Sequence, residues 1–345
     1  MKTHLLNSCR KVVKLLSSSK KVAIIYHWDC DGVASASIIS KLLKSKAFFH
    51  IPKIGHYSLE AININLLRSL KPDLVLIVDY GLPAKDITNL EKTLSTKIAV
   101  IDHHVNEPIG GCFCNPVALG LSEDDYPSTS WVIRELLNVK YLDLYVALGL
   151  VGDLGKAISY HRLREWVAKV CKEHNLSLSE IFRATETINS CYRLIDYDCI
   201  DYARIILTEI GVEGVLSDNV LFKKLSTVKE KLEEALERVE LSKDLGKVKV
   251  FTLTCEDYFT SIIGRELAYR FRNSIIVFNN FVEKLGLRYV YVRSYSYSLR
   301  EVLSELKGKG LNVGGKDHVF VLTCKGECDK EISMLLNTLL KHVGV

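Results

Sequence analysis

Three short apolar runs in the first half of the chain alternate with segments of helical periodicity. The runs cover residues 22–26, 74–78 and 98–101, whereas residues 5–16 and 33–43 carry apolar side chains at helical spacing. Strands that alternate with helices predict an α/β domain built on a parallel sheet with helices on both faces. Ligands of such sheets bind beyond the carboxyl ends of the strands.

Acidic and histidine residues follow each of the three predicted strands. His27, Asp29 and Asp31 are two residues apart, so in an extended segment they point in the same direction, and Gly32 allows the turn into the next helix. The second strand is followed by Asp79, the third by Asp102, His103 and His104, and a later apolar segment by Asp153. Any one of these residues could be a helix cap or a hydrogen-bonded histidine. The convergence of such residues from four segments on one sheet edge favours a functional site.

The composition of this cluster points to metal ions. Carboxylates that lie close together repel each other unless a cation lies between them. Mixed carboxylate and imidazole ligands suit divalent manganese, iron, cobalt or zinc. The candidates are too many for one ion and suit two, at the separation of roughly 3.5–4 Å that promotes in-line displacement at phosphorus.

The order of these motifs resembles that of the DHH phosphoesterase superfamily over residues 20–155. That superfamily includes RecJ-type nucleases, oligoribonucleases, cyclic-dinucleotide phosphodiesterases and family II pyrophosphatases. The resemblance implies two ions, manganese first with magnesium or cobalt as alternatives. It assigns His27, Asp29 and Asp79 to one ion and Asp31, Asp79, His103 and Asp153 to the other. His104 would face the phosphate, to stabilise charge or protonate the leaving oxygen, and Asp102 would orient a ligand histidine.

The C-terminal part resembles, more weakly, the DHH-associated substrate-binding domain. We expect a catalytic domain at 1–190, a mostly helical linker at 191–246 and a smaller α/β substrate-binding domain at 247–345. Apolar runs predict the strands of this last domain at residues 248–253, 274–278, 287–293 and 319–324. Its phosphate-binding residues would be Arg293, Gly314, Gly315, Lys316 and His318. The family usually has three glycines directly before the histidine, whereas this chain inserts Lys316 and Asp317. The glycine pair is equally consistent with a hairpin turn.

The leading functional hypothesis is a RecJ-like enzyme that hydrolyses single-stranded DNA or RNA, or short oligonucleotides, from an end. The formal charge of 46 − 41 = +5 is modest for a processive nuclease and favours short substrates. One alternative is hydrolysis of a cyclic dinucleotide or another small phosphoester. Another is a binding component of a replication or repair assembly with a GINS-type partner. The spacing of the first motif argues against a pyrophosphatase.

Other features of the sequence constrain the setting of the protein. We expect a cytoplasmic protein without a membrane segment, since no signal peptide and no run of about 18 apolar residues occur. The absence of glutamine is a weak thermophile trait, and a zinc site at the cysteine pairs 112/114 and 324/328 is not favoured. Tyr26, Trp28 and Tyr80 could stack a nucleobase, and so could the tyrosines at 289, 291, 295 and 297, although packing is favoured for both groups.

Overall fold

A computed structural model describes residues 2–43, 45–137, 139–326 and 328–343. The chain forms two compact units. One comprises Met1–Tyr192 and Asp196–Leu225, and the other comprises Arg193–Ile195 and Ser226–Val345. The boundary between them lies inside a helix within the predicted linker. The functional division at residues 190 and 246 stays a prediction.

The first unit is built on five parallel strands in the order β2-β1-β3-β4-β5. The strands are β1 (Lys21–Tyr26), β2 (Lys46–His50), β3 (Leu74–Val78), β4 (Lys97–Ile101) and β5 (Cys112–Cys114). The helices are α1 (Lys2–Ser18), α2 (Cys30–Leu42), α3 (Ile64–Leu70), α4 (Ala84–Leu94), α5 (Thr129–Leu137), α6 (Asp143–Leu154), α7 (Arg164–Glu173), α8 (Leu178–Arg193), α9 (Tyr197–Glu209), α10 (Val212–Ser217) and α11 (Asn219–Glu237). The last of these helices continues into the second unit.

Strands β1 and β3 form the centre of this sheet and are almost completely buried. Helix α2, which follows β1, is buried from Cys30 to Ile39 and packs against α5, α6 and α9. Its small residues, such as Ala34 and Ala36, allow this close packing. The chain leaves β1 toward β2 on one side and reaches β3 on the other, so the carboxyl ends of β1 and β3 mark the switch point at which ligands bind in sheets of this order.

The second unit is a smaller α/β domain with a mixed sheet of six strands in the order β10-β11-β9-β8-β7-β6. Its elements are β6 (Glu240–Leu245), β7 (Val248–Cys255), α12 (Thr260–Arg270), β8 (Ile275–Val282), β9 (Leu287–Ser294), α13 (Arg300–Gly308), β10 (Val313–Lys316), β11 (Val319–Lys325) and α14 (Asp329–Val343). Strands β7 and β8 are parallel and the other pairs antiparallel. The predicted fold class, a parallel-sheet α/β domain followed by a smaller α/β domain, is confirmed.

Side chains alternate along these strands, and each face of the sheet carries a large apolar cluster. Val292 and Phe320 belong to one cluster, which α13 and α14 cover, and Tyr291 and Phe251 belong to the other, which α12 covers. Tyr289 and Tyr291 are buried, as packing requires, while Tyr295 is 45% exposed.

Four strands differ from the sequence-based expectation, namely β2, β5, β6 and β10. The pair Gly314-Gly315, expected as a turn, lies within strand β10, and the turn to β11 is at Asp317-His318. A Cβ atom on Gly315 would lie 2.3 Å from the carbonyl oxygen of Val319, so this position requires glycine for the approach of the two strands.

Six cysteines are joined in disulfides rather than arranged as zinc ligands. The pairs are Cys9–Cys114, Cys191–Cys199 and Cys324–Cys328. The first connects α1 to β5 across 105 residues, a long loop whose closure restricts the unfolded chain. In the part of the chain that the structure describes, no helix combines the length and apolarity needed to cross a bilayer.

We expect the substitution Gly264→Ala in α12 to destabilise the second unit by about 1–3 kcal/mol, because overpacking forces side chains from their rotamers. The new Cβ would lie 2.3 Å from Cδ1 of Tyr291. Gly308→Ala in α13 is the matched control, since no atom lies within 4 Å of its added Cβ. Urea unfolding measures both variants, and equal loss of stability in the two would contradict this packing.

Candidate metal centre

The hydrogen-bond ladder of the first sheet continues one residue beyond three neighbouring strands. The N–H of His27 donates to Val78 O at 3.2 Å, that of Asp79 to Ile101 O at 3.0 Å, and that of Asp102 to Cys114 O at 3.1 Å. The first polar residue after β1, β3 and β4 is therefore held in register at the same edge. This pairing brings residues from distant parts of the sequence together.

The start of α2 fixes the next two carboxylates. Asp29 is the N-cap of the helix and accepts from the N–H of Gly32 at 3.1 Å, so this residue caps a helix as well as facing the site. Asp31 in the first turn is completely buried and accepts from the N–H groups of Thr129 at 2.6 Å and Ser130 at 3.2 Å. The N-terminus of α5 therefore stabilises the ionised form of Asp31.

Asp79 adopts a left-handed backbone conformation with φ of +58°. Aspartate tolerates this region better than most residues, and the conformation ends the strand abruptly. Oδ1 of Asp79 accepts from the Thr129 hydroxyl at 2.7 Å. One residue of α5 thus donates its backbone N–H to Asp31 and its side-chain hydroxyl to Asp79, which holds the two carboxylates in a fixed relation.

His103 and Asp153 complete the cluster on the side of α6. Nδ1 of His103 lies 3.3 Å from Tyr126 O, so it carries the proton and directs Nε2 to the site. That Nε2 lies 3.0 Å from Oδ2 of Asp153. One turn earlier on α6, a Cβ on Gly149 would lie 2.3 Å from Oδ1 of Asp31, so glycine is needed where the helix passes the cluster.

Potential ligand atoms gather in three overlapping sets, in each of which all atoms lie within 4.8 Å of one another. The sets are His27–Asp29–Asp79, Asp31–His103–Asp153 and Asp79–His103–His104. Every residue predicted as a metal ligand therefore lies in the cluster, and Asp79 belongs to two sets. The spacing suits more than one cation, because each set offers both carboxylate and imidazole donors.

Asp102 contacts the second histidine of the Asp-His-His segment. Its Oδ1 lies 2.7 Å from Nδ1 of His104, and its Oδ2 accepts from the N–H of Gly81 at 2.9 Å. The predicted role was to orient a ligand histidine, but the ring of His103 is oriented by Tyr126 O instead. Asp102 therefore positions His104, whose side chain is 31% exposed.

The buried carboxylates of the cluster differ in their electrostatics. Burial, followed by the negative charges of neighbouring aspartates, raises the pKa of both Asp31 and Asp79 well above the ordinary value. Burial also raises the pKa of Asp29, but the positive charge of a protonated His27 and the N–H of Gly32 outweigh it and lower the pKa to about 2. At Asp102, His104 outweighs burial in the same way and lowers the pKa.

Two buried atoms of the cluster lack a hydrogen-bond partner among the described residues, namely Nδ1 of His27 and Oδ2 of Asp153. Both face carboxylate or imidazole groups of the sets above. Buried polar atoms are normally satisfied, so unsatisfied ones need an explanation. A divalent cation would satisfy both atoms and neutralise the carboxylates, and the donor set therefore fits bound metal.

The predicted substrate residues lie in the second unit. Arg293 on β9 and Lys316 on β10 both pair with Val319 of the strand between them, so they share one face of the sheet. Gly314 has no atom within 4 Å of an added Cβ. His318 is exposed in the turn, with Nδ1 3.1 Å from Tyr297 O. The structure thus brings these residues to one end of the sheet, with Gly315 serving the hairpin.

Some contributors were not found from the sequence. Thr129 lies in a segment that is typical of a helix start, and this pattern gives no sign of its contacts with Asp31 and Asp79. Tyr26, Trp28 and Tyr80 are buried at 0, 2 and 0% exposure, which agrees with packing. The aromatic side chain that is exposed beside the cluster is Tyr57, in a loop that carries no motif.

Comparisons with known proteins agree with this geometry. Residues 21–151 match the model of the DHH family, N-terminal domain. The single-stranded-DNA-specific exonuclease RecJ of Bacillus subtilis strain 168 is 22% identical over 379 residues, which cover 95% of this chain and 47% of that protein. The chain thus spans about half the length of this curated relative.

Solved structures show a similar fold over nearly the whole chain. A DHH domain from a protein described as a member of a family of ribosomal proteins matches with a TM-score of 0.67 and 17% identity, covering 98% of this chain and 90% of that one. RecJ from Thermus thermophilus, in complex with Mn²⁺, matches with a TM-score of 0.66 and 17% identity, covering 99% of this chain and 55% of that one.

We expect Mn²⁺ to raise the melting temperature more at about pH 8 than at about pH 5, because ligands must lose their protons to bind metal. The raised pKa values of Asp31 and Asp79 mean that the metal-free folded state retains protons which the unfolded state has lost above about pH 4. Its stability therefore falls as pH rises, and metal binding reverses that loss. The lowered pKa values of Asp29 and Asp102 stabilise the folded state, and this contribution is lost only as the pH falls below about 4. Thermal unfolding with and without Mn²⁺ measures the effect, and an equal rise at both pH values would contradict it.

We expect Asp79→Asn to leave the metal-free protein at least as stable as the wild type, because it removes a buried charge and its amide oxygen can still accept from Thr129. Asp31→Asn is the contrasting variant. Both oxygens of Asp31 accept from backbone N–H groups, so an amide would oppose donor to donor and cost about 1–3 kcal/mol. Urea unfolding in chelator gives these stabilities. Calorimetric titration with Mn²⁺ should show weakened binding in both variants, and unchanged Mn²⁺ affinity of Asp79→Asn would contradict the assignment.

Proposed function

We propose that the protein is a metal-dependent phosphoesterase of the DHH family, whose N-terminal domain matches residues 21–151, and that it hydrolyses single-stranded nucleic acid or short oligonucleotides from an end. The observation that carries the proposal is the gathering of carboxylate and imidazole groups at the switch point of the sheet, in sets within 4.8 Å. This edge is where parallel sheets bind ligands.

His27, Asp29 and Asp79 would hold one divalent ion, and Asp31, Asp79, His103 and Asp153 would hold a second. When bound, such ions activate water and stabilise charge on the phosphoryl oxygens. Manganese is the first choice, with magnesium and cobalt as alternatives. The overlap of the ligand sets at Asp79 and the unsatisfied atoms of His27 and Asp153 support this distribution.

His104 acts on the substrate rather than on the fold. Asp102 accepts a hydrogen bond from its Nδ1–H and stabilises the positively charged ring, which leaves Nε2–H as the donor toward the substrate. The lowered pKa of Asp102 keeps that carboxylate ionised for this purpose. The ring then donates a hydrogen bond to a phosphate oxygen or a proton to the leaving oxygen. Asp102 is accordingly a positioning residue.

The second unit carries cationic groups that suit an anionic ligand. Arg293 has a buried Nε without a hydrogen-bond partner among the described residues, and Lys316 lies on the same face of the sheet. A phosphate oxygen is an acceptor that both side chains recognise. Gly314 and His318 lie on the neighbouring strand and turn, where they extend this phosphate-binding group.

The form of the substrate is inferred from two observations. The Bacillus subtilis relative is described as a single-stranded-DNA-specific exonuclease, and the net charge of this chain is only +5. The first favours a linear single strand, and the second favours short substrates over long ones, whose binding depends on many cationic contacts. Three further points stay predictions: the preference for DNA or RNA, the direction of cleavage and a GINS-type partner.

We expect the purified protein with Mn²⁺ to release mononucleotides from an end-labelled single strand or a dinucleotide. Asp79→Asn should lower the rate by more than about 100-fold, since even residues that merely support metal ligands contribute 10- to 100-fold. Asp198→Asn, an exposed carboxylate on α9, is the matched control and should keep the wild-type rate.

The substrate panel compares 5′-labelled and 3′-labelled strands, a dinucleotide and a cyclic dinucleotide. Hydrolysis of the cyclic dinucleotide alone would replace the proposal by a small-phosphoester phosphodiesterase. Activity that survives Asp79→Asn would assign the reaction to a different site or a contaminant.

A further inference from the structure

The loop that connects β2 to α3, residues 51–63, brings Tyr57 to the metal centre. The Tyr57 hydroxyl lies 3.0 Å from Nε2 of His27, and the two rings are stacked with centroids 5.9 Å apart. No motif of the first sheet accounts for this residue. It reaches the site from a segment that sequence patterns leave unassigned.

The surroundings of Nδ1 of His27 decide which atom donates in the hydrogen bond between Nε2 and the Tyr57 hydroxyl. Nδ1 of His27 lies 2.9 Å from Oδ1 of Asp29 and 3.8 Å from Oδ2 of Asp79, on the side of the ligand cluster. A ligand nitrogen must be unprotonated, so Nε2 carries the proton and donates it to the Tyr57 oxygen. The hydroxyl of Tyr57 therefore orients His27.

The hydroxyl does not explain the position of the ring. Tyr57 stacks on Tyr80 with centroids 5.8 Å apart and an interplanar angle of 20°, and it lies 5.4 Å from the Trp28 ring. Trp28 and Tyr80 are buried at 2 and 0% exposure, whereas 44% of Tyr57 is exposed. The buried rings form a base that supports an exposed aromatic surface beside the predicted reacting phosphate.

The loop is fixed by polar contacts on both sides of Tyr57. The Tyr80 hydroxyl donates to His56 O at 2.6 Å, and the N–H of Leu59 donates to Asp86 Oδ2 at 3.1 Å. Earlier in the loop, the N–H of Ile54 donates to the Tyr197 hydroxyl at 2.9 Å. A ring held in this way loses little conformational entropy when a ligand stacks on it.

We propose that Tyr57 is the stacking platform for the nucleobase attached to the reacting phosphate. The proposal rests on the proposed function and narrows it, because it commits the substrate to a phosphoester that carries a base next to the metal centre. Aromatic stacking accepts every base, since each has a π-face, and so it selects nucleotides over base-free phosphoesters without selecting a sequence. The shared contact with His27 places the base beside the metal ligands.

The test compares the binding of dAMP and of 2-deoxyribose 5-phosphate, which differ only by the base, by calorimetry at saturating Mn²⁺. The wild type should bind dAMP about 5- to 100-fold more tightly, the range that one stacked base contributes. Tyr57→Leu and Tyr57→Ser should lose this preference, and Tyr57→Phe, which keeps the ring, should retain it. Tyr160→Leu, at a tyrosine that is 94% exposed, is the matched control and should behave as the wild type.

A separate Mn²⁺ titration of the same variants reports on the hydroxyl, and Tyr57→Phe should bind Mn²⁺ more weakly than the wild type by up to about 10-fold. Equal affinity of the wild type for the two phosphates, or no measurable affinity for either, would overturn the proposal. So would a preference that persists in folded Tyr57→Leu or Tyr57→Ser. None of these measurements needs turnover, so a wild type that binds dAMP through Tyr57 but hydrolyses no oligonucleotide would refute the proposed function alone.

Discussion

Asp31 and Asp79 are held close together in a buried environment, and the rest of the first unit compensates for their repulsion. Unpaired charges in a protein interior cost several kcal/mol each. The N–H groups at the start of α5 donate to Asp31, and the Thr129 hydroxyl donates to Asp79. Gly149 leaves room for the Asp31 side chain. These contacts lower the free-energy cost of burying the two carboxylates, but they do not neutralise the negative charge. A bound cation completes the compensation, so metal binding and folding of this region depend on each other.

The sequence predicted the interior strands of both sheets and missed all four edges. Strands β1, β3 and β4 are continuous apolar runs because they are covered on both faces. The missed strands β2, β5, β6 and β10 are the outermost strands of the two sheets. Edge strands are short, charged or glycine-containing, which protects them from pairing with other chains. Strand β6 (Glu240–Leu245) is almost entirely exposed and therefore lacks the burial signal that sequence patterns detect.

The ligand cluster was predictable because each of its residues follows an element whose end is visible in the sequence. The positions of His27 and Asp79 follow from strand register alone, once the sheet is known to be parallel. Thr129 and Tyr57 were not predictable in the same way. Their contacts depend on the path of a loop and on the entry angle of a helix, which hydrophobic periodicity does not specify. The contact of Asp102 with His104 rather than with His103 likewise depends on side-chain direction, which the sequence does not specify.

The glycines at 314 and 315 show how one sequence feature can have two structural causes. Gly315 is required because a Cβ would meet the backbone of β11, whereas Gly314 has open space around it. The glycine pair therefore lies within strand β10, and the turn to β11 follows at Asp317-His318. The stronger indication of an anion in this unit is Arg293, whose buried Nε has no hydrogen-bond partner in the described part of the chain. Because Val319 pairs with both Arg293 and Lys316, the register of β11 places two cationic side chains on one face. A phosphate bound there would supply the acceptor that the Nε atom lacks, while Nη1 of the same guanidinium donates to the Tyr291 hydroxyl at 3.0 Å.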